Sequence, residues 1–464
     1  MKKTKIICSI GPSSYDATVM KEMVLNGMDV ARINFSHATI EEREKVVSSV
    51  KEVRKATGKN VAILYDTKGP EFRCGMMEND SINLVEGKTI RVVKKDCLGN
   101  DKRFSVNHKS AIDSLNVGDM VLLENGLMEI EVISKEDDGV TCRIISGGTL
   151  GNKKSLSAPG VKLDIPFISD VDKEDIIYAI KHEADFIALS FVSTKEDVLE
   201  VRKILKEYNS NVLLISKIES MTGIDNIKEI LEVSDGVMVA RGDLGVEVPM
   251  EELPFMQKLI INEARRQGKV AIVATEMLES MKKNMRPTRA EVSDISNAVL
   301  NGTDAVMLSG ETTTGKYPKE AVKYMADICL SAEKHLDYKV NFKNVSNDEI
   351  GAISSSVALT ANRLNSKLIV AATMSGTTAR IISNLRSNNL ILATCTSFKV
   401  ARSLALNFGV YPKVTKVFKT TDEIVEDGVN NAKKFTELKS GDFIIITGGF
   451  PKNSPTNFMR IEKI

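Results

Sequence analysis

Cysteine is sparse in this chain: Cys8, Cys74, Cys97, Cys142, Cys329 and Cys395 are scattered, with no C-x-x-C pair among them. That distribution excludes a disulfide framework and a structural zinc site, and the thiols read as reduced ones in a cytosolic protein. Histidine is rarer still, with His37, His108, His182 and His335 far apart in sequence. An excess of either charge is also lacking, since 63 Lys and Arg meet 62 Asp and Glu for a net charge of +1. No general attraction to nucleic acid or to an acidic membrane follows, so any bound anion must be held by a local site. No stretch approaches the run of about 18 apolar residues that a membrane helix requires. The N-terminal MKKTKIICSIGPSSYD carries too short an apolar segment for a signal peptide. The expectation is a cytoplasmic protein with neither nucleic acid nor membrane among its partners.

What the chain does have is length and a globular balance: 464 residues, 42% apolar and 27% charged. Roughly three domains are the prior at that size. Short apolar runs alternate with longer amphipathic segments, the pattern of repeated βα units and a parallel sheet. Eight strands are predicted, at Ile6 to Ile10, Val30 to Phe35, Val61 to Asp66, Phe186 to Phe191, Val212 to Ile218, Gly236 to Ala240, Val270 to Thr275 and Ala305 to Ser309. Helix starts are predicted from capping boxes at Ser193-Thr194-Lys195-Glu196 and Thr288-Arg289-Ala290-Glu291, and from Pro249 ahead of an acidic first turn at Glu251 and Glu252. Eight such units describe a closed (β/α)8 TIM barrel of the α/β class.

The third unit breaks the rhythm, because no barrel helix follows Asp66 until about Asp172. Thr89 to Val93, Met120 to Leu123, Glu129 to Ile133 and Val140 to Ile145 lie between and are short, β-rich and separated by turn residues, suggesting a small all-β barrel or sandwich. An insert after a barrel strand emerges on the active-site face and can act as a lid. Asp337 to Asp348 is polar and suits a linker, and Leu368 to Ala372, Leu390 to Thr394 and Phe443 to Thr447 are strands of a doubly wound α/β domain. The layout is therefore a barrel over 1–69 and 164–336, an inserted β-barrel lid over 70–163 and a C-terminal α/β domain over 337–464.

In such a barrel the reacting groups sit where the strands end. Here the apolar runs close on Arg32-Ile33-Asn34-Phe35-Ser36-His37, Asp66-Thr67-Lys68, Lys217-Ile218-Glu219, Ala240-Arg241-Gly242-Asp243, Thr275-Glu276 and Ser309-Gly310-Glu311. Lys217 and Glu219 are two apart on an extended segment and face one side, while Asp243 ends the neighbouring strand. A converging Glu and Asp suit Mg2+, which takes one or two carboxylates and keeps water and substrate oxygens elsewhere; the bland alternative is that Lys217 and Glu219 only pair with each other. Arg32 and Lys217 offer fixed positive charge for a phosphoryl group. Asn34, Ser36, Asp66 and Thr67 form an oxygen set suited to a monovalent cation, or equally an ordinary polar network. Gly310 to Lys316 imitates a phosphate loop but continues with Tyr317, not Ser or Thr.

Met28 to His37 (MDVARINFSH), Asp66 to Arg73 (DTKGPEFR), Ile215 to Glu219 (ISKIE), Asp235 to Gly245 (DGVMVARGDLG), Ala274 to Met281 (ATEMLESM), Arg286 to Glu291 (RPTRAE) and Val306 to Thr312 (VMLSGET), taken in order, closely resemble the pyruvate kinase family. The resemblance implies phosphoryl transfer from phosphoenolpyruvate to ADP in glycolysis, giving pyruvate and ATP, on a barrel with an inserted lid and a regulatory C-terminal domain. It implies Glu219 and Asp243 as ligands of Mg2+ or Mn2+, and Asn34, Ser36, Asp66 and Thr67 as ligands of K+. Lys217 and Arg32 would act on the phosphoryl group; the backbone about Ala240, Arg241, Gly242 and Asp243, together with Thr275, would hold the substrate carboxylate. Thr275 and Ser309 would lie near the protonation step. Asn34, His37, Arg73 and Lys154 would meet the nucleotide. Thr373, Ser375, Gly376, Thr377 and Thr378 resemble an effector-phosphate loop for a sugar phosphate or nucleotide, and the family assembly is a homotetramer. The family contrast between Glu and Lys after Gly-Pro makes Glu71 a mark of K+ dependence. Glu276 stands for the usual Gln, Ala38 for Gly, and Ser155 to Gly160 (SLSAPG) for GVNLPG; the chain stops soon after Asn457, so no further C-terminal domain is expected. Two rivals remain on sequence grounds: a lyase with Lys217 as a Schiff base, and a noncatalytic metabolite sensor.

Overall fold

The computed structural model describes residues 1–338 and 348–464, so the predicted linker lies almost wholly outside the described residues. Eight parallel strands, Lys5–Ser9, Val30–Asn34, Ala62–Asp66, Phe186–Leu189, Leu213–Ile218, Gly236–Ala240, Val270–Ala274 and Ala305–Leu308, close into a barrel. The last pairs with the first, Lys5 opposite Ala305. The strands are largely apolar, interrupted by Arg32 in the second and by Ser216 and Lys217 in the fifth, because helices cover one face and the barrel lumen the other. Period-two alternation then divides each strand between two cores. In the first strand Ile7 packs inside with Leu64, Ile215, Met238 and Met307, while Ile6 and Cys8 pack outward against the helical ring. The inner core also includes Ala405 and Leu406 of the C-terminal domain.

Helix starts follow local chemistry, with two corrections to the expected boundaries. The box at Thr288 and Glu291 is present as expected, and Thr39 with Glu42 and Ser169 with Asp172 add two more. On helix Lys195–Glu207 the pair is Thr194 with Asp197, one residue later than the Ser193 and Glu196 reading, since Asp197 Oδ2 accepts from both the Ser193 and Thr194 amides. After strand six a short helix, Arg241–Glu247, precedes the barrel helix Leu253–Arg266, which has Glu252 at its cap and a proline in its first turn, so Glu251 and Glu252 lie ahead of that turn and not within it.

Between strand three and helix Asp170–Lys181 the chain builds a six-stranded sheet, ordered Leu156–Ser157, Met120–Leu123, Met128–Glu136, Gly139–Ser146, Thr89–Val93 and Arg103–Ser105. A ribbon of Ser81–Leu84 and Gly148–Gly151 joins it over a separate core containing Phe104, Ile130, Cys142 and Leu150. The C-terminal domain has four parallel strands in the order Val410–Val414, Leu390–Cys395, Leu368–Thr373 and Phe443–Gly448, with Phe458–Lys463 antiparallel at the edge. It grips the amino end of the barrel: Arg386 NH2 bonds Asp304 Oδ1 at 2.9 Å, Arg402 Nε bonds Asp185 Oδ1 at 2.8 Å and Lys5 Nζ donates to the Val410 carbonyl at 2.6 Å. The opposite end of the barrel is left for chemistry. No helix among the described residues is long and apolar enough to cross a membrane.

Candidate active site

Four ionisable side chains meet where strands two, three and five end. Arg32 donates from Nε to Asp66 Oδ2 at 2.7 Å and from NH1 to Ser9 Oγ at 2.6 Å. Asp66 is fully buried and its Oδ1 lies 3.2 Å from Lys217 Nζ. Lys217 donates to Ser190 Oγ at 2.6 Å and sits 3.0 Å from Glu219 Oε1. Glu219 Oε2 accepts from the Phe191 amide at 2.5 Å, which strand four presents from a residue at φ 59°. Two cations and two carboxylates thus alternate in a buried row, each charge compensating a neighbour.

Burial works to raise the Asp66 pKa, yet Arg32 and Lys217 outweigh it and hold the carboxyl below its ordinary range. Burial pulls the Lys217 ammonium down, and Asp66 with Glu219 overcomes that, leaving it above its ordinary value. Glu219 moves the other way: burial, assisted by Asp243 and opposed by Lys217, pushes it up to about 7. Its Oε1 has no directed hydrogen bond. A buried carboxylate oxygen left with only an ionic neighbour is an acceptor fitted to a cation, which lowers the cost of its burial.

Glu219 opens onto a cleft of about 500 Å³ between the barrel mouth and the insert. Asp243, Arg73, Lys154, Glu71 and Glu247 also line it. Asp243 is exposed on the short helix Arg241–Glu247, and burial, then Asp243, pushes Glu247 of the same helix up to about 7. Arg73 is held in bidentate fashion by Glu71, from Nε and NH2 at 2.9 Å each, and Lys154 pairs with Glu124. Arg32, Lys217, Thr275 and Ser309 are not among the cleft walls; Lys217 reaches it through Glu219.

The predicted monovalent-cation residues adjoin, since Asn34 and Asp66 are register partners and Thr67 follows. Side-chain oxygens of three of the four are in use: Asn34 Oδ1 accepts from the Ser36 amide and Thr67 Oγ1 from the Ser190 amide, both at 3.1 Å, while Asp66 anchors Arg32 and Lys217. His37 is exposed and outside the cleft. After strand seven, Thr275 and Glu276 adopt φ of 70° and 52°, which for a β-branched threonine costs on the order of 1–3 kcal/mol. Thr275 Oγ1 accepts from the Gly242 amide at 2.8 Å, so that amide is already engaged. The Arg241 side chain bonds Asp294 and the Thr275 carbonyl. Glu311 ties strand eight to the same region, accepting from Ser309 N at 2.8 Å and Leu278 N at 2.9 Å.

Sequence reasoning passed over Ser9, Ser190 and Glu247. Ser9 and Ser190 each close an apolar run, a signal that was present but faint; Glu247 carried none, being one charge on a helix rich in them. In the C-terminal domain, Thr373 Oγ1 accepts from the Gly376 amide at 2.9 Å, Gly376 caps helix Thr377–Asn384 at φ 89°, and Ser375 Oγ lies 2.9 Å from Thr377 Oγ1. Thr373, Ser375, Thr377 and Thr378 line a second cavity of about 490 Å³ that also receives Lys416 and Lys452.

A closed parallel barrel whose strand ends gather paired cations and carboxylates beside a cleft walled by the insert defines a (β/α)8 enzyme acting on an anionic substrate. The family model for the pyruvate kinase barrel domain matches residues 1–322, and that for the pyruvate kinase alpha/beta domain matches residues 351–462. Pyruvate kinases of Staphylococcus epidermidis and Staphylococcus aureus are each 46% identical over 472 aligned residues, covering 100% of this chain and 81% of theirs. The solved structure of a pyruvate kinase from Cryptosporidium parvum superposes with a TM-score of 0.95 at 38% identity, covering 100% of this chain and 96% of that one. This chain belongs to the pyruvate kinase family, phosphotransferases that move the phosphoryl group of phosphoenolpyruvate to ADP in glycolysis.

Proposed function

We propose that the chain carries out this transfer with a divalent cation, Mg2+ or Mn2+, held by Glu219 and Asp243, and with K+ beside Asn34, Ser36, Asp66 and Thr67. The observation that carries the reading is the buried row Arg32, Asp66, Lys217 and Glu219 next to the cleft. Lys217 and Arg32, fixed by Asp66, present positive charge to the phosphoryl group at no cost of reorganisation. The metal, when bound, supplies Lewis-acid polarisation and a template for the phosphate oxygens. Arg73 and Lys154 at the cleft wall face the nucleotide side, where each exchanges a carboxylate partner, Glu71 or Glu124, for phosphate. Asn34 and His37 complete that nucleotide set. Residues Ala240 to Asp243 and Thr275 hold the substrate carboxylate, and Thr275 and Ser309 adjoin the carbon that is protonated. Positioning and charge suffice for the phosphoryl step, because the protein need form no covalent bond.

A Schiff-base lyase is disfavoured by the same row. Asp66 and Glu219 keep the Lys217 amine protonated, whereas an imine-forming lysine needs a lowered pKa. The test is pyruvate formation from phosphoenolpyruvate, with ADP, Mg2+ and K+ omitted one at a time. Turnover should fail in each omission, and turnover that survives without ADP or without any divalent cation overturns the reading.

The domain limits proposed are 1–69 and 164–336 for the barrel, 70–163 for the lid and 337–464 for the C-terminal domain, in a cytoplasmic homotetramer. The cavity at Thr373, Ser375, Gly376, Thr377 and Thr378 is proposed to take a sugar phosphate or nucleotide effector, supported by the helix N-terminus and by Lys416 and Lys452.

A further inference from the structure

The loop after strand seven is strained at two successive residues, Thr275 and Glu276, and a strained turn persists only where its surroundings hold it. Two side-chain bridges do so. Arg241 donates from NH2 to the Thr275 carbonyl at 2.6 Å and from Nε to the Ala274 carbonyl at 3.3 Å. Its NH1 contacts both oxygens of Asp294, at 2.8 and 2.7 Å. Four residues further along the loop, Ser280 donates from N and Oγ to Glu291 at 2.7 and 2.6 Å. Asp294 and Glu291 lie one turn apart on helix Arg289–Leu300, so one helix end steadies the whole loop. The product of that geometry is the position of the Thr275 hydroxyl, which meets the Gly242 amide at 2.8 Å on the turn that also carries Asp243.

We propose that the Arg241 side chain is a positioning residue: braced by Asp294, it locks the Thr275 turn so that the Thr275 hydroxyl and the Gly242 turn stand in register for the substrate carboxylate. This rests on the pyruvate kinase reading above and adds a role for the side chain of a residue whose backbone alone the resemblance placed at the substrate. Arg241 is nine-tenths buried and fully committed to the Asp294 carboxylate and loop carbonyls, so its action is indirect. Only a forked guanidinium spans two carbonyls and a carboxylate at once, and lysine cannot.

The test compares Asp294→Asn, Asp294→Glu and Arg241→Lys with the parent enzyme, reading half-saturation for phosphoenolpyruvate and for ADP, inhibition by pyruvate, and the melting temperature. Asp294→Asn should raise half-saturation for phosphoenolpyruvate at least fivefold and weaken pyruvate inhibition in parallel, with the ADP value changed less than twofold. Asp294→Glu should recover most of the loss, and the Arg241→Lys, Asp294→Asn double variant should be no worse than Arg241→Lys alone. If Arg241→Lys does not fold, the two Asp294 variants decide the matter alone. A lower melting temperature with unchanged phosphoenolpyruvate dependence, or equal losses toward both substrates, overturns the proposal. A parent protein that makes no pyruvate overturns the family reading instead, which separates the two failures.

Discussion

Asp66 is the residue on which the site's charge balance turns. It reaches no cleft wall, yet it holds Arg32 and Lys217 within hydrogen-bonding or ionic distance, and without it two cations would face each other in a buried place. The carboxylate that ends the row is Glu219, pushed upward by burial and with one oxygen lacking a directed partner, so the divalent cation proposed beside it and Asp243 would relieve an existing cost. Glu219→Gln keeps the acceptor for the Phe191 amide and removes the anion, and Asp243→Asn alters an exposed position. Both variants should therefore fold with a melting temperature near that of the parent and lose more than tenfold in turnover, most steeply at limiting Mg2+. Near-normal activity for both under limiting Mg2+ would remove the metal assignment.

At the scale of single elements, the segment leaving strand three links lid and barrel through Glu71, which accepts both arms of the Arg73 fork and lies 3.6 Å from Lys68. A lysine here would set a fixed positive charge beside Arg73 and Lys68, electrostatically replacing a free monovalent cation while freeing Arg73. The parent should need K+ and be slow in Na+ or a bulky organic cation; Glu71→Lys should relax that requirement and raise half-saturation for ADP. Equal activity of the parent in all three cations contradicts the K+ site. The strand ends that carry this chemistry were legible because a polar cluster closing an apolar run stands out in a barrel, and the motifs from Arg32 to Glu311 are dense. What the sequence concealed lies in direction and register. Ser193 and Thr194 offer two caps, and only the reach of Asp197 chooses between them. A threonine gives no notice that it will adopt φ 70°, nor does Arg241 announce that its side chain turns away from the substrate turn toward Asp294. The last two outcomes depend on contacts between residues 33 to 53 positions apart.

The whole molecule is organised by what seals the barrel's amino end. Ala405 and Leu406 enter the inner core, and Lys5, almost fully buried, donates to the Val410 carbonyl with its ammonium 4.1 Å from the Tyr411 ring. Burial lowers the Lys5 pKa from 10.5 to about 8, so below pH 8 the charged form is carried at a constant cost, and stability rises as pH climbs from about 8 to 10.5 because only the unfolded chain still binds that proton. The gain is at most about 3 kcal/mol, and the unfolding free energy of the parent should rise relative to Lys5→Met across that window; a flat difference means Lys5 stays charged in the fold. The same junction joins the domain that holds the C-terminal cavity to the barrel. An effector can activate only by binding the active arrangement more tightly than the inactive one, and the place proposed for its phosphate is the Gly376 cap among Thr373, Ser375, Thr377 and Thr378. Ser375 is exposed and its hydroxyl bonds only within the loop, so Ser375→Asp adds a negative charge where phosphate would sit without disturbing the core. Dependence on phosphoenolpyruvate should be sigmoidal in the parent and grow more hyperbolic with a sugar phosphate or nucleoside monophosphate. Ser375→Asp should keep the sigmoidal curve and lose the response. If such metabolites shift neither the half-saturating concentration nor the curve shape, or if Ser375→Asp responds as the parent does, the loop is an ordinary capped helix start and regulation does not enter through this cavity.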